Sequence, residues 1–186
     1  MRAFDGHACI LRARAVLILG LDPGLASVGH AIIHVRPEDG AVTLVEYGTF
    51  TTPAKTAEAE RLIEIDTWLA TYLSVRQPAA VVLERPYPTA RMLSNVLIVG
   101  MAYGCLVTAV HKARVGVVLE VNSMAVKAAV GLPRGAPKKD MRAAVSRVLD
   151  VPLLKGADDG IDAIAVALVK ATRDAVDQAQ LFRVRA

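Results

Sequence analysis

The sequence predicts one α/β domain built on a mixed five-stranded sheet with helices on both faces, and three observations predict it. Apolar residues make up 54% of the chain and aromatics only 4%, a balance that suits a buried sheet under helices and excludes a disordered chain. Two apolar runs, residues 15–22 (AVLILGLD) and 79–84 (AAVVLE), read as buried strands that each end in an acid. Finally, the periodicities run three strands, helix, strand, helix, strand, helices, which is a meander extended by parallel crossovers. At 186 residues such a core stands without disulfide or metal staples.

The elements follow in order. After the first strand, Asp22-Pro23-Gly24 makes a turn. Residues 28–35 and 41–50 stand at hairpin spacing around Pro37-Glu38-Asp39-Gly40. Residues 57–76 place Leu62, Ile65, Leu69, Tyr72 and Leu73 at helical spacing, and Gln77-Pro78 stops the helix. The second apolar strand, 79–84, is followed by a long helix within residues 89–114 and a strand over 115–121. Ser123 is the expected N-cap of a helix over 124–130. The loop 131–137 (GLPRGAP) then leads to helices over 138–149 and 159–174. The domain spans residues 15–176, with an N-terminal extension, 1–14, and a C-terminal tail, 177–186.

The net charge of +4 is unevenly distributed. Residues 1–84 carry 7 Lys/Arg against 10 Asp/Glu, residues 85–147 carry 10 against 2, and residues 148–186 carry 5 against 6. A basic middle between acidic flanks fits a phosphate-binding surface around a carboxylate site. Arg12 and Arg14 interrupt any signal-peptide core. An Arg-bearing start leaves an organellar transit segment open, with Asp5 against it. Residues 92–110 are uncharged, yet Ser94, Asn95, Gly100, Gly104 and Thr108 make them a buried helix rather than a membrane span. Cys9 and Cys105 have no metal-ligand spacing and read as thiols of a reducing, cytoplasmic compartment.

Chemistry concentrates in the acids. Asp22 and Glu84 each close an apolar strand, where a carboxylate is costly unless a positive partner shares the site. Asp158-Asp159-Gly160-Ile161-Asp162 opens an Ala-rich helix, with Asp159 and Asp162 on one face at the end that favours negative charge. Alone, each group reads more simply as a strand-end turn or a helix cap. Together they form an oxygen-only set suited to Mg²⁺ or Mn²⁺. Two such ions about 4 Å apart serve phosphate hydrolysis. The basic run Lys127, Arg134, Lys138, Lys139 and Arg142 is a candidate DNA surface.

At this point the chain resembles the RuvC resolvases. ILGLDPGLASVGHAII (18–33) is similar to the family's opening acid segment, VVLERPY (81–87) to its strand ending in Glu before an aromatic, and DDGIDAIAVAL (158–168) to its acid-bearing last helix. Gly100-x-x-x-Gly104 falls in the long helix, and Val126-Lys127 precedes Lys138 at the family's separation. The resemblance covers about residues 16–172 and implies an RNase H-like fold. It also implies a homodimer that nicks four-way junction DNA symmetrically, with branch-migration proteins as candidate partners.

By the same resemblance, Asp22, Glu84, Asp159 and Asp162 hold two Mg²⁺ or Mn²⁺ ions, with Asp158 left as an alternative third acid. Lys127 and Lys138 lie near the scissile phosphate, with Lys139 the alternative to Lys138. Tyr87, at the family's aromatic position, stacks on an unpaired base. Arg85 beside it is a candidate DNA contact in its own right, and Gly100 and Gly104, small residues one turn apart on one helix face, are candidates for a dimer interface. Arg85, Pro86, Pro88, Pro133 and Pro137 depart from the family pattern and put cleavage preference in doubt more than catalysis. Another RNase H-like nuclease, of the ribosomal-RNA maturation type, and a non-catalytic DNA-binding module are the competing readings. An actin-like kinase needs two such domains.

Overall fold

The computed structural model describes residues 16–87 and 96–184, without the side chains of 176 and 178–184. A five-stranded sheet in the order β3-β2-β1-β4-β5 forms the centre. β1 (Val16–Asp22), β2 (Ser27–Val35) and β3 (Val42–Thr51) make an antiparallel meander. α1 (Glu58–Arg76) leads to β4 (Ala80–Glu84), which lies parallel to β1, and α2 (Val96–Lys112) leads to β5 (Val117–Val121), parallel to β4. α3 (Ser123–Ala129), a 3₁₀ turn (Lys138–Asp140), α4 (Met141–Val148) and α5 (Asp158–Val184) complete the chain. The mixed sheet with helices on both faces is the expected architecture.

Strand alternation sorts side chains between two cores. On β1, Leu19 and Leu21 face α1 and α2, whereas Ile18 faces α5. β4 repeats the pattern, with Val81 and Leu83 on one side and Ala80 and Val82 on the other. Asp22 and Glu84 keep the parity of Ile18 and Val82, so both acids point to the α5 side. That helix buries Ile161, Ile164 and Leu168, but Ala163, Ala165, Ala167 and Ala171 are interleaved with them and let it pack close. Gly20 of β1 completes the fit, since a Cβ there would lie 2.1 Å from the Ala163 carbonyl oxygen.

Four expectations about elements need correction. The N-cap of α3 is Asn122, whose side chain accepts from the Ala125 amide (2.9 Å), and Ser123 is already helical. Both are good cap formers, so sequence alone shifts the boundary by one. The helix expected over 138–149 is a 3₁₀ turn that passes into α4 at Met141, with Pro137 just before it. The last helix starts one residue early and continues to Val184, so residues 177–184 extend α5 instead of forming a separate tail. Strand β5 begins at Val117 rather than at 115.

The extension 1–14, Cys9, Pro88, and Ser94 and Asn95 of the uncharged stretch lie outside the described residues. Among the described residues no helix is long and apolar enough to cross a membrane. α2 buries Ala102, Leu106, Ala109 and Val110 against the sheet and α1.

Candidate metal centre

The cleft forms at the carboxyl ends of β1 and β4, where a parallel pair leaves room between diverging connections. Leu21 and Leu83 are the last residues paired between these strands. The acids one step beyond, Asp22 and Glu84, therefore emerge side by side. α5 starts opposite them because Gly29, the cross-strand partner of Asp22, has no side chain. A Cβ on Gly29 would lie 2.0 Å from the Asp159 carbonyl oxygen. The loop between Asp22 and Ser27 is fastened by Thr52, whose hydroxyl donates to the Leu25 carbonyl (2.6 Å) and whose amide donates to that of Ala26 (3.1 Å).

One carboxylate oxygen each from Asp22, Asp159 and Asp162 lie within 4.8 Å of one another. Glu84 lines the same cleft of about 280 Å³ with Asp22, Asp162, Ser123, Lys127 and Lys138. Burial, then the charges of Glu84, Asp162 and Asp159, push Asp22 up to about 8. Burial and the charge of Asp162 push Glu84 up to about 7. Burial raises Asp162 more than its bond to Lys138 lowers it. So many acids cannot all ionise together without added positive charge. An oxygen-only donor set under that strain fits a hard divalent cation, and Asp22, Asp159 and Asp162 are the residues that would hold it.

The neighbouring cations have distinct tasks. The Lys138 ammonium lies 2.9 Å from Asp162. Burial would lower its pKa, but the bond to Asp162 and the charges of Asp22 and Asp159 hold it above the ordinary lysine value. Lys127 lines the cleft but donates to the carbonyls of Arg134 (3.0 Å) and Ala136 (2.8 Å), tying down the loop that carries Lys138. Arg85, Tyr87, Arg134 and Lys139 are exposed.

Arg142 corrects the expected DNA surface. Its guanidinium donates to the carbonyls of Leu154 and Gly156 (both 2.9 Å) and to Asp158 (2.6 Å), so it fastens the loop before α5. The same pair takes Asp158 out of the acid cluster and leaves Asp159 as the third acid. On α2, Gly100 and Gly104 open to solvent beside exposed Leu97 and Met101. Sequence reasoning missed Ser27, whose hydroxyl donates to Asp159 Oδ2 at 2.5 Å. A serine beginning a strand gives no sign of its partner, although its parity with Gly29 and Ala31 points it at the α5 face.

Comparison with known proteins decides the family. Residues 18–170 match the family model of the crossover junction endodeoxyribonuclease RuvC. The chain belongs to the RuvC family. A crossover junction endodeoxyribonuclease RuvC from Roseiflexus sp. (strain RS-1) is 32% identical over 154 residues, 83% of this chain and 89% of that one. The Thermus thermophilus RuvC structure superposes with a TM-score of 0.75 at 24% identity, covering 87% of this chain and 97% of the other. The T. thermophilus RuvC solved with a Holliday junction substrate gives 0.73 at 24% identity, covering 87% and 96%. The fold is therefore that of the RNase H-like resolvases.

Proposed function

We propose that this RuvC-family chain is a metal-dependent endonuclease that resolves four-way DNA junctions, acting as a homodimer that places paired symmetric nicks. The observation that carries the reading is the cluster of Asp22, Asp159 and Asp162 at a cleft that Glu84 and Lys138 also line. Mg²⁺ or Mn²⁺, two ions per site, would supply Lewis-acid stabilisation of the phosphate and ease deprotonation of the attacking water. The chain's own residues supply the rest. The four acids gather negative charge in a half-buried cleft and so select a divalent cation over bulk monovalent ions. Lys138 holds a fixed positive charge beside the acids, where it opposes the charge that develops as the phosphodiester breaks.

Arg85, Arg134 and Lys139, exposed on the segments that leave the cleft, are assigned to flanking phosphates. Exposed Tyr87 is assigned to stacking on an unpaired base at the crossover. Two protomers are expected to meet through the α2 stripe of Leu97, Gly100, Met101 and Gly104, where small residues allow close helix approach.

The test is nicking of a synthetic four-way junction, a linear duplex of the same sequence and an RNA hairpin, each with and without Mg²⁺ or Mn²⁺. Metal-dependent cutting of the junction alone, on two strands of like polarity, is the expected result. Preferential RNA cutting would replace the reading with an RNA-processing nuclease. Junction binding without cutting under any metal would leave a binding module.

A further inference from the structure

We infer that Ser27 is a positioning residue for the metal centre, holding the Asp159 carboxylate in its ligand orientation. This rests on the reading of Asp22, Asp159 and Asp162 as the metal-binding acids. The Ser27 hydroxyl donates to Asp159 Oδ2 across 132 residues of chain. Ser27 opens β2 and shares the parity of Gly29 and Ala31, so its side chain leaves the sheet on the α5 side. Gly29, two residues on, touches the Asp159 backbone. Asp159 is thus gripped by β2 at two points, at its backbone and at its carboxylate.

The carboxylate has a competing place to go. Asp159 lies in the first turn of α5, where amide N–H groups lack helical partners and short acidic side chains readily turn back to accept from them. A donor on the sheet draws the carboxylate the other way, toward Asp22 and Asp162.

The chemistry of the donor matters as much as its place. A hydroxyl gives one hydrogen bond, engages one oxygen and adds no charge, so the other oxygen stays available and the carboxylate keeps its full attraction for a cation. A lysine or arginine at this position would neutralise the acid and compete with the metal, as Arg142 does for Asp158. Outer donors of this kind typically account for 10–100-fold in metal affinity or activity.

The experiment compares wild type, Ser27→Ala, Ser27→Thr and Asp22→Asn, without DNA, by Mn²⁺ titration in a calorimeter and by Mn²⁺ electron paramagnetic resonance. The metal concentration for half-maximal junction cleavage is measured alongside. Ser27→Ala is expected to weaken Mn²⁺ binding by about 10-fold and to raise the half-maximal metal concentration by a similar factor. Cleavage at saturating metal should then largely recover, and Ser27→Thr should keep affinity close to wild type. Unchanged affinity in Ser27→Ala, with Asp22→Asn having lost the metal, overturns the role of Ser27 while leaving the metal site standing. Affinity as weak in Ser27→Thr as in Ser27→Ala overturns the hydroxyl's part in favour of packing. Equal Mn²⁺ binding by Asp22→Asn and wild type instead brings down the metal-site reading itself.

Discussion

The two faces of the sheet solve the same burial problem with different mixtures of side chains. Toward α1 and α2 the core is bulky, with Leu19, Leu21, Ile32, Ile65, Leu69, Leu83 and Leu106 fully buried. Its rim is aromatic: Phe50 stacks on Trp68 at 4.7 Å, and Tyr72 and His30 complete the cluster. Toward α5 large residues are buried too, Ile18, Ile33, Ile161, Ile164 and Leu168 among them, but alanines are interleaved with them and Gly20 and Gly29 meet the helix backbone directly. Large side chains keep helices at a distance and contribute apolar area, about 1.5–3 kcal/mol for each fully buried one. Small ones contribute less area but let a helix backbone come close enough for its acids to join those of the sheet. Both faces stabilise, and the alanines and glycines of the α5 face in addition set geometry.

That division can be broken first at the acids. Asp22→Asn is expected to reduce junction cleavage to background while leaving junction binding in place, because it removes a proposed metal ligand and leaves the basic segments untouched. Cleavage assays beside gel-shift binding check both halves, and robust cutting would sink the metal-site assignment.

The next largest effects pit the faces against each other. Leu69→Ala should lower stability by about 2–5 kcal/mol by opening a cavity, with Mn²⁺ affinity of the folded protein unchanged. Gly29→Ala adds a single methyl, yet it meets the Asp159 carbonyl. It should lower stability by about 1–3 kcal/mol and also weaken Mn²⁺ binding. Thermal melts and metal titrations of the two variants separate area from geometry, and metal binding left intact in Gly29→Ala would contradict the division.

A smaller effect follows from pH. Asp22 stands at about 8 and Glu84 at about 7 in the folded chain, far above the values near 4 of the unfolded one. The folded state therefore binds protons more tightly. The associated stability is complete below about pH 4 and is lost as pH rises through about 7 to 8. The metal-free protein should melt at progressively lower temperature across that range, with Asp22→Asn or added Mn²⁺ flattening the trend. A flat profile for the metal-free wild type would mean that the acids are not held together. The smallest effect belongs to α2: Gly104→Ala, in open space, should raise the stability of dilute protein by up to about 1 kcal/mol.

The same contrast explains what the sequence discloses. Asp22 and Glu84 stand out because a charge ending an apolar strand is physically expensive, and Asp159 and Asp162 because helical spacing puts them on one face. The alternation that aims both strand acids at one side was equally readable. Asp158 and Asp159 could not be separated, because the partner that withdraws Asp158 is Arg142, 16 residues away. Arg142 was misassigned for the same reason, since charge alone does not show that two carbonyls and an acid already hold a guanidinium. Ser27 and the loop-tying role of Lys127 depend on contacts that exist only once the chain has folded. The Asn122–Ser123 boundary failed because neighbouring residues both cap well.

The span between Ser27 and Asp159, 132 residues, bears on when the chain becomes able to cut. Its first acid leaves the ribosome well before its third and fourth, which lie on the helix that also covers the sheet. Contacts so far apart in sequence close late and slowly. A nascent or truncated chain lacking α5 has Asp22 and Glu84 but neither Asp159 nor Asp162, so on the proposed metal-site reading it should not cut DNA. Assembly of the acid cluster and covering of the sheet by α5 are the same event.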